Sequence, residues 1–309
     1  MHEACHQHLG ADHPDTLSSL NKLANALDGQ GRHSEAEALH RQALEARQRV
    51  LGSDHPDTLS SLNNLANALD GQGKYSASEA LHRRVLRARR KYLGTNHPDT
   101  LSSSSNLAFA LGGQGKHVEA EKRHRQVLQA RQRVLGADHP DTLTSLYNLA
   151  NALYGQDKYG KAEELHRQAL EARQRVLGAS HPHTLSSINS LASTLDGQGR
   201  HSEAEALHCQ ALEARRRVLG PDHPDTLGSL SNLASALYGQ GKYDQAEALY
   251  RQAVEAQQLA LGADHPDTLR SLHNLICALR RQGRHGEAVA LQAASPALCQ
   301  LLQDRHKVL

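Results

Sequence analysis

The chain is poor in the large residues that fill most globular cores. It has no tryptophan, one phenylalanine and one methionine among 309 residues, and aromatic residues make up only 3% of it. The core must therefore be built from Leu and Ala, which allow helices to pack closely. This excludes a core organised around large rings.

Cysteine is also scarce. The four cysteines, Cys5, Cys209, Cys277 and Cys299, are scattered without paired spacing. This distribution fits a reducing compartment and argues against a structural zinc site. We therefore expect a cytoplasmic location.

Long apolar runs and an excess of one charge are both absent. No stretch approaches the ~18 apolar residues of a spanning helix, and the first ten residues lack the apolar run of a secretory signal. Basic residues number 35 against 33 acidic ones, which gives a net charge of +2. We therefore expect neither a membrane nor a nucleic acid as a partner.

The sequence contains one unit repeated many times. The motif HPDTL, or a near copy of it, recurs seven times at a constant interval of 42 residues. Its histidines are His13, His55, His97, His139, His181, His223 and His265. A fixed period of this size is typical of a solenoid, in which each unit buries its apolar stripe against its neighbours. Such an array favours binding over catalysis.

Two amphipathic helices are predicted in each unit, because apolar residues follow the 3.6-residue helical period in two separate segments. In the first unit the predicted apolar positions are Leu17, Leu20, Leu23, Ala24 and Leu27 of the first helix, and Ala36, Leu39, Ala43 and Val50 of the second.

The helix boundaries are also encoded. Pro14 suits a first helical turn, and the glycines of residues 29–31 end the first helix. Ser34 and Glu37 have the spacing of a capping box for the second helix, and Gly52 provides a left-handed stop. Each unit is therefore predicted to be a helical hairpin.

These residues resemble the tetratricopeptide repeat family. The family pattern of bulky and small positions is matched by Leu20, Leu23, Ala24, Leu27, Ala36 and His40. The unit is longer than the usual ~34 residues, and with its LNNLA first helix it is similar to the arrays of kinesin light chains and nephrocystins. The resemblance covers about residues 4–292. It implies an all-α, right-handed superhelical solenoid of antiparallel helix pairs.

Three regions are expected along the chain. Residues 1–10 form a partial helix of a preceding repeat, and residues 11–292 form an array of seven units, the last one incomplete. Residues 293–309 form a C-terminal capping helix whose Leu298, Leu301 and Leu302 cover the last apolar stripe. The half unit at the start leaves two interpretations, a ragged cap or a piece of a longer array.

The 22 histidines do not predict a metal site, since sixteen of them fall at three repeated positions. Copies of one position lie about 8–10 Å or more apart, whereas zinc ligands lie within about 2.0–2.1 Å of one ion. We expect architectural roles, with His40 and its copies beside the apolar stripe and bonded to the backbone. No catalytic set recurs at positions that the stack would bring together. We therefore expect no metal, no cofactor and no enzymatic activity.

A recurring arginine is predicted to join successive units. Arg47 and its copies lie close to the buried stripe, where an unpaired charge would be costly. The nearest recurring acid is in the next HPDT motif, so we expect Arg47 to reach Asp57, and its copies to do the same.

Ligand binding is expected on a face of the first helices about a third of a turn from the leucine stripe. In arrays of the resembled type this face lines the groove. The candidate peptide-binding residues are Asn21, Asn25, Asn63, Asn67, Phe109, Tyr147, Asn151, Tyr154, Asn189, Tyr238, Arg270, His273 and Arg280. Asparagine can both donate a hydrogen bond to a ligand backbone and accept one from it, which suits a peptide in extended conformation.

Two finer features are predicted on this face. Phe109, Tyr147 and Tyr154 are hypothesised to form an aromatic pocket for an apolar anchor. The alternative is that Phe109 folds inward to replace the leucine lost at Ser104, a change that should leave its unit locally loose. Opposite charges are also predicted towards the two ends of the array, from Asp28 and Asp70 at one end and Arg270, Arg280 and Arg281 at the other.

The predicted function is a non-enzymatic scaffold or adaptor that binds an extended peptide segment. The kinesin light chain resemblance implies cargo-type recognition. The alternative is a sensor or regulatory repeat fragment of a larger signalling ATPase or protease.

Overall fold

Helices account for the regular structure of the residues that the structure describes. The computed structural model describes residue 10 and residues 12–300, and none of these residues lies in a β-strand. The helices are α1 Pro14–Gly29, α2 His33–Leu51, α3 Pro56–Gly71, α4 Tyr75–Leu93, α5 Pro98–Gly113, α6 His117–Leu135, α7 Pro140–Tyr154, α8 Tyr159–Leu177, α9 Pro182–Gly197, α10 His201–Leu219, α11 Pro224–Gly239, α12 Tyr243–Leu261, α13 Pro266–Arg281 and α14 His285–Ala293.

The chain consists of two compact units, Met1–Gln156 with α1 to α7 and Asp157–Leu309 with α8 to α14. Within each unit every helix packs against the next one along the chain, and each first helix also contacts the first helix of the following repeat. This stacking of helix pairs is the all-α solenoid that the sequence predicts. Among the described residues, every helix is too short or too polar to cross a membrane.

Each first helix begins with the same cap. The side chain of His13 accepts a hydrogen bond at Nδ1 from the N–H of Asp15 over 3.2 Å, and Pro14 takes the first helical position. The same bond is made by His55, His97, His139, His181, His223 and His265. The motif histidines are therefore helix caps, since their nitrogens satisfy amide groups that the helix leaves without a partner.

The turn between α1 and α2 leaves no place for the capping box predicted from Ser34 and Glu37. Gly31 has a φ of 78°, and the N–H of Arg32 reaches the carbonyl of Leu27 at 3.0 Å, which closes α1 in a Schellman motif. The second helix starts immediately, at His33, and its start carries no side-chain cap. Ser34 therefore lies inside α2, and the capping-box prediction is wrong. Glu37 instead accepts hydrogen bonds from Arg41 of its own helix and from Gln72 and Lys74, which lie in the turn between α3 and α4.

Gly52 ends α2 with a φ of 87° and a ψ of 166°. The positive φ is as predicted, but the ψ is extended and not that of a left-handed helical residue. Residues that carry a side chain rarely adopt this backbone conformation, so glycine is required here for steric reasons.

The apolar stripe of the second helix differs from the prediction at its end. Ala36 and Ala43 are fully buried, as expected, but Val50 is 52% exposed. Arg47 takes the buried position in this part of α2, so Val50 turns outward. In the first helix, Leu23 is 41% exposed, whereas its copy Leu65 is buried in a cluster with Leu44 and other apolar residues.

Arg47 joins successive repeats, but not through the acid that the sequence suggested. Its Nη1 donates to the backbone carbonyl of Asp57 at 3.2 Å and to the hydroxyl of Ser61 at 2.7 Å. The copy Arg173 makes the same pair of bonds although His183 stands in the place of the aspartate. The predicted contact between Arg47 and residue 57 is therefore present, but its acceptor is the backbone carbonyl and not the carboxylate. A backbone acceptor does not depend on which side chain occupies that position.

At the end of the array, residues 296–300 are helical. Leu298 is fully buried and belongs to the core cluster that includes Leu272 and Leu279 of α13. The proposed capping role of Leu298 fits this position. Leu301 and Leu302, and the predicted partial helix of residues 1–10 apart from Gly10, lie outside the described residues.

Candidate functional site

The predicted groove face divides into buried and exposed asparagines. Asn21 is only 8% exposed: its amide group donates to Ser61 at 3.3 Å, and its oxygen lies 3.2 Å from Nδ1 of His40. Asn189 repeats this arrangement with Ser229 and His208 at 2.9 Å each. Both amides hold neighbouring helices together, so the assignment of Asn21 and Asn189 to a ligand-facing surface is wrong.

The asparagines one turn further along are placed differently. Asn25, Asn67 and Asn151 are all exposed. Asn63, the copy of Asn21 in the next repeat, is half-buried, and its oxygen accepts a hydrogen bond from the amide of Asn106 over 3.1 Å. The exposed face of the first helices is therefore carried by the Asn25 position and not by the Asn21 position.

Asn106 is a polar residue of this surface that the sequence analysis missed. Its amide also points at the oxygen of Asn67, 3.4 Å away, so it connects α3 to α5. Asparagine recurs at this position of the repeat as Asn64, Asn106, Asn148, Asn232 and Asn274. This recurrence outside the apolar stripe is the signal that would have found it.

Phe109 is 58% exposed, although the nearby Ser104 is buried. The alternative in which Phe109 folds inward to replace a leucine is therefore wrong. The helix α5 runs without a break through Ser104, so the lost leucine does not interrupt it. An open cleft of about 400 Å³ lies beside Phe109 and is lined by Asn67, Asp70, Gly71, Asn106 and Phe109.

Tyr147 and Tyr154 lie on α7. Tyr147 is half-buried and Tyr154 is 38% exposed. Neither tyrosine is among the residues that line the cleft at Phe109. The cleft is thus formed by α3 and α5, with one aromatic side chain, two amides and the largely buried Asp70. The three-ring pocket stays a hypothesis.

The other candidates in the second unit lie on α11 and α13. Tyr238 is half-buried and accepts a hydrogen bond from Arg281 over 3.3 Å. Arg270 and Arg280 are exposed and paired, Arg270 with Asp267 and Arg280 with Gln292, both at 2.7 Å. His273 lies beside Cys277 on α13, with its Nε2 3.7 Å from the Sγ of the cysteine.

The acids predicted to give one end of the array its charge are engaged by histidines of their own repeats. Asp28 lies 2.6 Å from Nδ1 of His33. Asp70 is 7% exposed, accepts a hydrogen bond from Ser78, and lies 3.1 Å from Nε2 of His82. Asp70 is therefore mainly a buried partner, and the predicted charge gradient loses this contribution.

The buried histidines of the second helices are structural partners. His40, His82 and His208 bond to asparagine or aspartate side chains and not to the backbone as expected. Burial, with a smaller effect of Arg131, lowers the pKa of His124 to about 4. Among the described residues, no three His, Cys, Asp or Glu side chains come together in a group that could hold a metal ion.

Comparison with known proteins identifies the repeat. The family model described as tetratricopeptide repeat matches residues 2–49, 30–91, 71–130, 99–175, 146–217, 210–258 and 225–295. No curated protein is similar enough in sequence to count as a match.

Solved structures are similar over much of the chain. A putative kinesin light chain of Podosopora anserina with nearly identical repeats is 30% identical in sequence and has a TM-score of 0.53. The match covers 66% of this chain and 97% of the kinesin light chain structure. NprR in complex with its cognate peptide NprX is 18% identical in sequence and has a TM-score of 0.60; the match covers 91% of this chain and 84% of NprR.

A signal transduction ATPase with a tetratricopeptide repeat sensor, from Pyrococcus horikoshii, has 14% identity and a TM-score of 0.60. It covers 94% of this chain but only 44% of its own length is matched. These last two likenesses concern the fold alone. The repeats matched along nearly the whole sequence lead to one conclusion: the chain belongs to the tetratricopeptide repeat family, and its neighbours include kinesin light chain-like members.

Proposed function

We propose that this protein is a non-enzymatic scaffold that binds an extended peptide segment across its first helices, with an apolar side chain of the ligand beside Phe109. Cargo-type recognition, as the kinesin light chain likeness suggests, is the form of binding that we favour. A cytoplasmic location stays a prediction.

The observation that carries this proposal is the exposure of Phe109 next to a cluster of amides. Phe109 is 58% exposed, and the equivalent positions Asn25, Asn67 and Asn151 carry asparagine. The fold therefore does not need an aromatic ring at this position. Burying an exposed phenylalanine contributes about 1.5–3 kcal/mol, which a ligand with an apolar anchor would gain.

The amides supply the second part of the argument. Asn67 and Asn106 line the same cleft as Phe109. An amide can donate to a carbonyl and accept from an N–H of a ligand backbone, which are the two bonds an extended peptide offers. The bond between Asn106 and Asn67 is long, at 3.4 Å, so its exchange for ligand bonds would cost little.

The proposal is tested with a randomised peptide display library passed over the purified chain and over Phe109→Asn. This substitution introduces the residue of the neighbouring repeats, so we expect it to fold. Val134→Ala is the matched control, because it shortens an exposed apolar residue, 49% exposed, on α6 and away from the cleft. We expect a motif with an apolar anchor that is lost in Phe109→Asn and retained in Val134→Ala. No enriched motif, or equal enrichment in all three proteins, would contradict the proposal.

Tyr147→Ala and Tyr154→Ala extend the same experiment to the three-ring hypothesis. If the ligand reaches α7, each variant should weaken binding of the enriched peptide. If both variants bind as the wild type does, the site is confined to α3 and α5.

A sensor role in a larger signalling ATPase is the second candidate. It draws on the fold likeness to the Pyrococcus horikoshii ATPase, and the coding sequence flanking this chain decides it. A nucleotide-binding domain encoded in the same reading frame is the expected result for that role.

A further inference from the structure

The helix α4 carries a group of basic residues that no other second helix has. Arg84, Arg87, Arg90 and Lys91 are all exposed. At the positions of the three arginines, α2 has Gln42, Glu45 and Gln48, and α6 has Gln126, Gln129 and Gln132. Arg84 and Arg87 have no basic counterpart in the other repeats, whereas Arg90 and Lys91 match Arg216 and Arg217 of α10. We call these four residues of α4 the basic strip, and its first two arginines are not required by the repeat.

The arginines of the basic strip have no acidic partners. Among the described residues, neither an ion pair nor a hydrogen bond joins Arg84, Arg87 or Arg90 to a carboxylate. By contrast, the exposed Arg41 of α2 is paired with Glu37 at 2.7 Å. In α4 the neighbouring Arg83 takes the available acid, Glu79.

The basic strip also opposes the stability of its own helix. Like charges three or four residues apart on a helix repel each other. Cations near a helix C-terminus are favourable, and this accounts for Arg90 and Lys91 in the last turn of α4. It does not account for Arg84 and Arg87, which lie further from the end. An uncompensated repulsion in the middle of a helix points to a ligand that supplies the opposite charge.

An apolar cleft adjoins the basic strip. It has a volume of about 220 Å³, and its apolar lining comes from Pro56, Leu59, Tyr92 and Leu93. Tyr92 is 54% exposed and is another departure from the repeat, which has valine at Val50, Val134, Val176 and Val218. The ammonium group of Lys91 lies 4.8 Å from the centre of the Tyr92 ring, so the strip and the cleft are continuous.

Acidic residues at the cleft fix how a ligand would lie. Asp54 and Asp99 are part of its lining, and Asp54 accepts a hydrogen bond from the hydroxyl of Tyr92 at 3.0 Å. Arg89 also lines the cleft, but it donates to the carbonyl of Asp99 and the hydroxyl of Ser103. The two carboxylates would therefore repel an acidic side chain from the cleft itself. An acidic segment therefore fits the strip, and an uncharged apolar side chain fits the cleft.

We propose that the exposed face of α4 is a second binding surface, which takes an acidic peptide segment along Arg84, Arg87, Arg90 and Lys91 and an apolar side chain of the same segment beside Tyr92. The surface shares no lining residue with the Phe109 cleft, because Pro56 and Leu59 lie at the start of α3, whereas the Phe109 cleft is lined by residues at its end. A peptide fits better than a nucleic acid, because the basic charge is confined to one helix, adjoins an apolar cleft, and belongs to a chain with a net charge of only +2.

The experiment measures fluorescence anisotropy of a labelled pool of peptides with a run of Glu and Asp followed by randomised apolar positions. The test variant is R84Q/R87Q/R90Q, which gives α4 the residues of α6 and should fold. The control variant is R133Q/R175Q/R217Q, which removes the same number of exposed charges from other second helices. Circular dichroism and thermal unfolding check that both variants are folded.

We expect the wild type and the control variant to bind the acidic pool, and the test variant to bind at least about tenfold more weakly. Absence of binding by the wild type, or equal weakening in the two variants, would overturn the proposal. A labelled single-stranded oligonucleotide is measured in parallel. If it binds more tightly than the peptides and depends on the same arginines, the surface is a nucleic-acid site and the peptide assignment is wrong.

Tyr92→Val tests the apolar half of the surface. It introduces the residue of the neighbouring repeats. We expect it to weaken binding of acidic peptides that carry an apolar anchor and to leave unchanged the binding of acidic peptides with alanine in its place. Equal effects on both sets of peptides would remove the cleft from the proposal. Phe109→Asn should leave binding to α4 unchanged, so failure of this surface and failure of the proposed cleft are distinguishable.

Discussion

The imidazole ring of His33 lies directly against Gly71 of the next repeat, and a Cβ on Gly71 would fall 2.5 Å from its Nδ1. The ring is held in this position by Asp28, whose carboxylate lies 2.6 Å from the same nitrogen. The relationship recurs between Tyr75 and Gly113, His117 and Gly155, Tyr159 and Gly197, and His201 and Gly239. A ring at the start of each of these second helices thus packs on a glycine at the end of the following first helix.

Gly71→Ala should therefore destabilise the protein by about 1–3 kcal/mol, because the added methyl group displaces the ring and its bond to Asp28. The matched control is Gly29→Ala. Gly29 occupies the same repeat position, but nothing lies within 4 Å of its would-be Cβ, so the helix should gain up to about 1 kcal/mol. Urea unfolding measures both variants. Equal effects would contradict the packing argument, as would a Gly71→Ala penalty that persists in the double variant with His33→Ala.

Gln257→Arg should stabilise the second unit. Gln257 stands where Arg47 and its copies stand, is fully buried, and has no hydrogen-bond partner for either side-chain polar atom within the described part of the chain. An arginine there would reach the carbonyl of Asp267 and the hydroxyl of Ser271, as Arg215 reaches the equivalent groups at 2.9 and 2.8 Å.

The expected gain for Gln257→Arg is about 1–3 kcal/mol, since it satisfies buried polar groups with hydrogen bonds to a charged donor. Gln258→Arg adds the same charge at an exposed neighbouring position and should change the free energy of unfolding little. A loss of stability in Gln257→Arg would show that this site cannot accept the guanidinium that the other repeats hold.

Asp157→Gly should raise stability by up to about 1 kcal/mol. Asp157 has a φ of 57° and occupies the turn position that is glycine at Gly31, Gly73 and Gly115. A side chain in this region is strained, although aspartate tolerates it better than most residues. The reverse change, Gly115→Asp, should destabilise the protein by a similar amount. Tyr159→Phe is the control, because Asp157→Gly also removes the hydrogen bond that Tyr159 donates to Asp157. Thermal unfolding of the three variants measures the effect.

The protein should lose stability as the pH is lowered from about 6.5 to about 4, because His124 is buried in its neutral form. Burial lowers the pKa of His124 to about 4 in the folded chain, against about 6.5 in an unfolded one. The unfolded state therefore binds the proton first as the pH falls, and folding loses on the order of 3 kcal/mol over this window from this residue. The contribution is fully present above pH 6.5.

Urea unfolding of the wild type and of His124→Leu between pH 7 and pH 4 measures this effect. We expect the variant to lose less stability across the window than the wild type, because its side chain does not titrate. An NMR titration of the imidazole in the folded protein is a second measurement. A midpoint near 6.5 for His124 would contradict the expectation.

Much of the fold follows from local sequence. The 42-residue period, the proline after each motif histidine and the glycines of the turns predict the helices, since caps and helix stops involve residues close along the chain. The leucine and alanine stripes predict the core for the same reason. Where neighbours along the chain compete, local reasoning was less reliable: Ser34 has the right spacing for a cap, but α2 begins before it, at His33.

The candidate surface depended on contacts that the sequence does not display. Asn21 and Asn25 are the same residue type on one predicted face, yet Asn21 is buried and Asn25 is exposed. The difference arises because Asn21 meets Ser61, which is 40 residues further along the chain, and His40 of the paired helix. The sequence by itself determined the helices, their period and the family. Only the tertiary structure decided which polar groups the stack consumes and which it leaves for a ligand, because hydrogen bonds between repeats exist only once the repeats are packed.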